Sequence, residues 1–263
     1  MPKLFAIEGS DTIQKYPSVR KIGPADLQGA LAKGLDDFLA MPSSLVFLGL
    51  IYPIVGFCLA GDALPLLFPL MAGFALVGPF AGIGLYEISR RRELGLDTSW
   101  KHAFNVVRSH SIFSILSLGM LLLVIFVSWE ITAQSLYVSL FGSEPPDSIT
   151  QFVANVFATP QGWKLIVYGT GIGFVFAVVA LSLSVVSFPL LLDHDVEAPV
   201  AIFTSVKAVL MNPLTMALWG LIVAAVLALG FLLLFVGLAV AVPVLAHSSW
   251  HLYRRVVDWS SAV

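Results

Sequence analysis

Two histidines near the C-terminus, His247 and His251, are spaced i, i+4 and therefore share one face of a helix. Imidazoles in this arrangement can hold a divalent ion such as Zn²⁺, and carboxylates from other segments can complete the ligand set. Asp193 and Glu87 end two other apolar runs and offer such carboxylates. These four residues are the candidate metal ligands. The alternative is that the histidines mark the water-exposed end of a helix, where cationic groups suit the helix dipole.

A basic cluster follows one of these runs: Arg90, Arg91 and Arg92, with Lys101 nearby. Basic groups at a membrane edge attract anionic headgroups by about 1 kcal/mol per charge, so we predict lipid headgroup contacts here. Nucleic acid is a poor alternative, because the stretch is short and the net charge is -2. No nucleophile elbow, phosphate-binding loop or paired-cysteine motif is present. Apart from the candidate metal, the sequence indicates no cofactor.

The composition places the chain in a membrane. Of its 263 residues, 58% are hydrophobic and only 11% are charged, whereas soluble domains carry about 25% charged residues. The mean hydropathy is +0.93, so lipid must be the solvent for most of the surface. The first forty residues mix charges, Gly and Pro and lack the pattern of a secretory signal. We therefore expect the N-terminus to stay on the side of synthesis.

The apolar runs predict an all-α, polytopic protein with six transmembrane helices arranged as three hairpins. The last run, 214–246, has 33 residues and would form a helix of roughly 50 Å, against a hydrocarbon core of about 30 Å. It is therefore divided into two spans that turn near Gly230. A tail (1–23) precedes a single transmembrane domain (24–263). Its spans are 43–60, 64–86, 112–129, 165–192, 214–229 and 231–253.

The distribution of charge sets the orientation. With six spans, thirteen of the fourteen Lys and Arg residues lie on one side and only Lys164 lies on the other. Five spans would put Arg254 and Arg255 outside, against the positive-inside rule. Both termini are therefore predicted to be cytoplasmic. None of the predicted spans has an ionisable residue near its middle, which argues against a proton-coupled transporter.

The three hairpins resemble one another. Each is preceded by an amphipathic segment, at 24–41, 99–110 and 199–211, predicted to lie as a cytoplasmic interfacial helix. The second span of each carries a proline with a polar residue eight positions later: Pro79 and Glu87, Pro189 and Glu197, Pro243 and His251. We favour internal duplication over chance. Between the third and fourth spans, Ser148 is predicted to cap a short helix on the outer surface.

Eight strings spread over nearly the whole chain carry a family resemblance: VRKI (19–22), GLDDF (34–38), GLIYP (49–53), FPL (68–70), GPF (78–80), GLYE (84–87), SFPLLLD (187–193) and HSSWHLYR (247–254). The chain resembles a proteobacterial family of predicted integral membrane proteins of unknown function. The resemblance implies a bacterial inner-membrane protein and carries no activity. Some members are loosely labelled as related to cytochrome oxidase subunit I. Haem-copper chemistry needs several histidines deep in the membrane, whereas all five histidines here lie near predicted helix ends or connections.

Three classes of function remain open. We favour a non-enzymatic accessory, assembly or scaffolding component that binds other membrane proteins or lipids, because catalytic motifs are lacking and small-residue helix faces are many. A transporter of a small or lipid-like substrate is the first alternative, supported by the repeated hairpins and prolines. A metal-dependent membrane enzyme, built on the four candidate ligands, is the second. The sequence indicates no oligomeric state.

Overall fold

The computed structural model of the protein describes residues 17–41, 82–144, 148–233 and 236–259. The predicted span 43–60 and most of the predicted span 64–86 lie outside the described residues. The described chain is α-helical, as predicted, with one addition, a pair of two-residue strands, β1 (Ser18–Val19) and β2 (Val257–Asp258). The helices are α1 (Pro24–Ala40), α2 (Ile83–Glu93), a 3₁₀ helix (Trp100–Arg108), α3 (Ile112–Phe141), α4 (Ile149–Ala158), α5 (Pro160–Ser184), α6 (Ser187–Asp193), α7 (Ala198–Met211), α8 (Pro213–Leu232) and α9 (Leu238–Val256).

Three stretches of the described chain are long and apolar enough to cross a membrane. They are Ile112–Phe141, Pro160–Asp193 and Pro213–Leu232, with 30, 34 and 20 residues. A crossing needs about 20 residues, so the first two extend well beyond one hydrocarbon thickness. The protein is thus an all-α membrane protein.

Helix α3 differs from the predicted span 112–129, which was taken to end at Glu130. The helix continues through Glu130 to Phe141 and ends only at Gly142, whose φ of +88° suits glycine. No glycine or proline occurs between residues 131 and 141, so nothing in the backbone stops the helix there. Glu130, which directly follows the predicted span, therefore lies inside the helix.

The stretch Pro160–Asp193 is interrupted between α5 and α6. Proline clashes with the carbonyl four residues earlier, and Pro189 accordingly follows a break at Val185 and Val186. The neighbouring helix α7 satisfies the opened backbone, because the Val186 N–H donates to the Ser205 hydroxyl at 3.2 Å. The Ser187 hydroxyl lies 3.0 Å from the Ala201 carbonyl, to which it donates. These two hydrogen bonds attach the start of α6, at the break before Pro189, to α7.

The hairpin between α8 and α9 turns later than predicted. Helix α8 passes through Gly230, and α9 begins at Leu238 instead of at 231. Gly230 serves close packing: a Cβ there would lie 2.6 Å from the Leu238 Cδ2 atom. Helix α9 is not among the three membrane-crossing candidates of the described chain, and most of its residues are buried.

Helices form at all three segments predicted to be amphipathic, but two of them leave part of their apolar side chains exposed. On α1, Leu35 and Leu39 are exposed although both belong to its apolar side chains at helical spacing. On α7, Phe203 and Leu210 are likewise exposed. The buried positions include many small or polar side chains, which let helices approach closely. They are Leu27, Ala30, Gly34, Asp37 and Phe38 of α1, and Val200, Ala201, Thr204, Ser205 and Ala208 of α7.

The two ends of the described chain lie together. Strands β1 and β2 are antiparallel, and the Arg20 N–H donates to the Val256 carbonyl at 2.8 Å. Asn212, the residue directly before α8, is hydrogen-bonded to the backbone between β1 and α1. Its Oδ1 accepts from the Ile22 N–H at 2.8 Å and its Nδ2 donates to the Arg20 carbonyl at 3.0 Å. This end also holds the charged termini of α1, α2 and α9.

The segment between α3 and α5 contains the predicted capped helix. The Ser148 hydroxyl accepts from the Gln151 N–H at 3.2 Å and starts α4. Thr159 caps α5 in the same way through the Gly162 N–H at 3.0 Å. A Cβ at Gly162 would lie 2.1 Å from the Val156 carbonyl oxygen, so glycine permits the tight turn from α4 into α5.

Candidate functional site

A buried polar cluster joins α1, α2 and α9. Asp37 of α1 accepts from the Ser89 hydroxyl at 2.6 Å and from the His251 Nε2 at 2.8 Å, and it pairs with Arg92. The Ser89 hydroxyl also lies 2.7 Å from the His247 Nδ1. We call these five residues the Asp37 cluster. Arg92 alone among them is substantially exposed.

The hydrogen bonds of the Asp37 cluster determine which of its atoms carry a proton. Burial opposes ionisation of Asp37, but hydrogen bonds from His251, Ser89 and Arg92 outweigh it and lower its pKa to about 2. The carboxylate therefore only accepts, and the single Ser89 hydrogen must point to it. His247 then donates from Nδ1 to Ser89, and its Nε2 is a buried acceptor without a hydrogen-bond partner in the described chain.

This arrangement does not activate a nucleophile. In a hydrolytic triad the histidine lies between serine and carboxylate and removes the serine proton. Here the serine lies between histidine and carboxylate, and its proton is held by Asp37. The cluster instead connects three helices. Close by, a Cβ on Gly34 would lie 2.5 Å from the Ser248 backbone nitrogen, which shows how closely α1 and α9 approach.

The four candidate metal ligands do not converge. His247 and His251 belong to the Asp37 cluster. Asp193 accepts from the Tyr253 hydroxyl at 2.9 Å and contacts Arg254 at 3.2 Å. Glu87 makes its own ion pairs with the arginines one turn further along α2. No group of three or more His, Cys, Asp or Glu side chains suited to a metal occurs in the described ranges.

A polar cleft of about 360 Å³ opens beside α2, between the residues that precede α3 and the end of α6. Glu87 and Asp193 both line this cleft, together with basic and hydroxyl-bearing side chains. We call it the polar cleft. Its lining residues are Glu87, Arg90, Arg91, Val106, Arg108, Ser109, His110, Ser111, Leu191, Leu192, Asp193, His194 and Asp195.

The predicted lipid-binding residues divide between three environments. Arg90 and Arg91 line the polar cleft and pair with Glu87 at 2.8 and 3.7 Å. Arg92 turns to α1, where it contacts Asp36 at 2.9 Å as well as Asp37. Lys101 is exposed on the 3₁₀ helix and does not line the cleft. The sequence thus pointed to Arg90 and Arg91, which line the cleft. Arg108, the last residue of the 3₁₀ helix, and His110 also line it.

Arg108 is the cleft residue that sequence reasoning missed. Its guanidinium has no ion pair within the described part of the chain, whereas Glu87 and Asp193 have their carboxylates occupied by other groups. Ser109 and Ser111 stand beside it, and Ser111 is the N-cap of α3. A basic residue followed by two serines directly before a long apolar run was the available signal.

An apolar crevice of about 400 Å³ lies between α5, α8 and α9. Its walls are mostly Ala, Val and Leu side chains, with Gly220 of α8 facing Leu181 of α5. Ser184, Tyr86 and Ser249 are its polar members. Its lining suits an acyl chain and offers no group for catalysis.

Comparison with known proteins adds one similarity. Residues 67–193 match the model of a family described as predicted integral membrane protein (DUF2189), a description that carries no activity. No curated protein and no solved structure matches the chain. The matched region contains the polar cleft except for His194 and Asp195. Asp37, His247 and His251 of the Asp37 cluster lie outside it.

Proposed function

We propose that this protein is a non-enzymatic accessory component of a membrane, which binds lipids or other membrane proteins, and that its polar cleft receives a phospholipid headgroup. The observation that carries the proposal is the position of the cleft. Its walls include Ser111, directly before the apolar helix α3, and Asp193, the last residue of the apolar stretch that starts at Pro160. Two candidate membrane spans therefore end at the cleft, where headgroups are found.

The chemistry of the cleft suits a phosphate diester. A guanidinium offers planar, paired N–H donors that match phosphate oxygens, and Arg108 has no competing ion pair in the described chain. The Ser109 hydroxyl, which accepts from the Ser111 N–H at 3.3 Å, keeps its own hydrogen for a ligand oxygen. The exposed carboxylate of Asp195 also lines the cleft. Opposite charges within the cleft favour a zwitterionic headgroup, such as phosphatidylethanolamine, over a purely anionic one.

We further propose the topology that the charge distribution predicts, with six spans as three hairpins, both termini cytoplasmic, in a bacterial inner membrane. An even number of spans brings the two chain ends to the same side. The pairing of β1 with β2 agrees with this. The polar cleft then faces the cytoplasm, and Lys164 near the start of α5 faces the opposite side.

Lipid titration of the purified protein tests the proposal. We would add phosphatidylethanolamine to delipidated protein in detergent and measure bound lipid by native mass spectrometry. Arg108→Gln should weaken binding about fivefold, which corresponds to about 1 kcal/mol per basic group. Lys207→Gln is the matched control, because Lys207 is an exposed basic residue of α7 outside the cleft. Equal losses in both variants would refute the cleft as the binding site.

A transporter of a small or lipid-like substrate is a second candidate, favoured by the apolar crevice beside α5, α8 and α9. A crevice beside the lipid phase can hold an acyl chain while its headgroup crosses the membrane. Vesicles containing the protein should then move a fluorescent phospholipid between leaflets faster than protein-free vesicles. Equal rates in the two preparations would remove this candidate and leave the accessory role untouched.

A further inference from the structure

Glu130 is a buried carboxyl inside an apolar helix. It is flanked along α3 by Trp129, which packs on Phe176 of α5 with ring centroids 5.7 Å apart. A Cβ at Gly173 would lie 2.9 Å from the Trp129 ring, so the two helices are in tight contact at this level. Both carboxyl oxygens of Glu130 are buried and have no hydrogen-bond partner in the described chain.

The other buried carboxylates of the described chain are all paired. Asp37 and Glu87 are each held by arginine, and Asp193 is held by Tyr253 and Arg254. Glu130 therefore stands apart in an environment that does not compensate a negative charge. A carboxylate without a partner in an apolar interior is very costly, and such groups take up a proton instead.

Among the residues of α3 and α5, only Lys164 carries a positive charge. The titratable side chains of α3 and α5, apart from Glu130, are Tyr137, Lys164 and Tyr168. Lys164 is exposed and lies nine residues before Gly173 along α5, a distance of roughly 13 Å at 1.5 Å per residue. The 3₁₀ helix, α6 and α7 also contact α3. At the start of α3, far along the helix from Glu130, the Ser111 hydroxyl donates to the His194 carbonyl that follows α6. The negative charge of the Glu130 carboxylate can therefore be neutralised at this position by binding a proton.

We propose that the Glu130 carboxyl is a proton-binding site within the apolar part of the protein. The step is a proton transfer alone: a proton from water bonds to a carboxylate oxygen, and no other bond forms or breaks. The acid form is stored at neutral pH between α3 and α5. The charged form arises only when water or a cation reaches the carboxyl, so movement of these helices is linked to release of the proton.

Labelling with a hydrophobic carbodiimide tests this proposal on the unaltered protein. The O–H of a protonated acid adds across a C=N bond of dicyclohexylcarbodiimide, and rearrangement leaves a stable acylurea that mass spectrometry can map. Glu144 is the internal control, because it is exposed in the loop after α3. At pH 7 we expect at least tenfold more adduct on Glu130 than on Glu144. Equal labelling, or no adduct on Glu130, would overturn the proposal.

An infrared measurement gives an independent readout. A protonated carboxylic acid has a carbonyl band separate from the bands of carboxylates and of the peptide backbone. The wild type and Glu144→Gln should show this band at pH 7, and Glu130→Gln should lack it. A spectrum of the wild type without the band would overturn the proposal even if Glu130→Gln failed to fold.

Discussion

Removal of the Asp37 carboxylate should destabilise the protein far more than removal of its neighbour Asp36. The Asp37 side chain is 5% exposed and holds Ser89, His251 and Arg92. The Asp36 side chain contacts the same arginine at 2.9 Å but is 72% exposed. The two carboxylates are adjacent and share a partner, so they differ chiefly in burial and in the number of groups they hold.

The structure gives the magnitude of each effect. Breaking a buried charge pair by removing one partner costs about 3–5 kcal/mol. Arg92 is partly exposed and keeps Asp36, so Asp37→Ala belongs near the lower end, at about 3 kcal/mol. Exposed ion pairs contribute about 0–1 kcal/mol, which is the expectation for Asp36→Ala.

Unfolding in mixed micelles measures the difference. Each variant would be titrated with sodium dodecyl sulfate and followed by circular dichroism, and the free energy of unfolding compared with that of the wild type. A loss below about 1 kcal/mol for Asp37→Ala would refute the reasoning. So would equal losses in the two variants, since the Asp37 cluster would then not be what holds α1, α2 and α9 together.

Three further predictions concern Asp37 and Gly34 of α1 and, for comparison, Gly171 of α5. Hydrogen bonds lower the pKa of Asp37 from 3.8 to about 2 despite its burial, so its stabilisation is complete above pH 4 and lost as the pH falls to 2. The wild type should lose about 2 kcal/mol across this window, and an equal pH dependence in Asp37→Ala would contradict this. Gly34→Ala places a Cβ 2.5 Å from the Ser248 backbone nitrogen and should cost about 2 kcal/mol. Gly171→Ala meets nothing within 4 Å and should stabilise the helix by up to about 1 kcal/mol; midpoints of thermal unfolding that shift in the same direction would contradict this reasoning.

The sequence predicted the local features well, because they depend on residues close in the chain. Hydropathy located the apolar stretches, and Pro24 fixed the start of α1. The capping role of Ser148 followed from its position before a short apolar helix. The positions of the interfacial helices needed only a period of 3.6 residues.

Contacts between distant residues could not be predicted in this way. Asp37 and His251 are 214 positions apart, and no local pattern links them. Glu87 was taken for a metal ligand although Arg90 and Arg91 follow at i+3 and i+4, a spacing that favours ion pairs on one helix. That spacing is a local signal, and the structure shows the corresponding ion pairs.

The difference between the predicted span 112–129 and helix α3 has another origin. The apolar run was ended at Glu130 because a charge is costly in lipid. A buried carboxyl can avoid that cost by binding a proton, and the backbone then continues as a helix to Phe141. A charged residue in the sequence therefore marks the end of an apolar run without marking the end of the helix.

Headgroup photocrosslinking tests the central claim, lipid recognition in the polar cleft, most directly. The protein would be placed in vesicles containing phosphatidylethanolamine with a photoactivatable group on its amine, and the crosslinked peptides mapped by mass spectrometry. We predict crosslinks concentrated on residues 87–91, 106–111 and 191–195, and a marked reduction in Arg108→Gln. Crosslinks spread evenly over the basic residues, with Lys207 as heavily labelled as Arg108, would contradict the account.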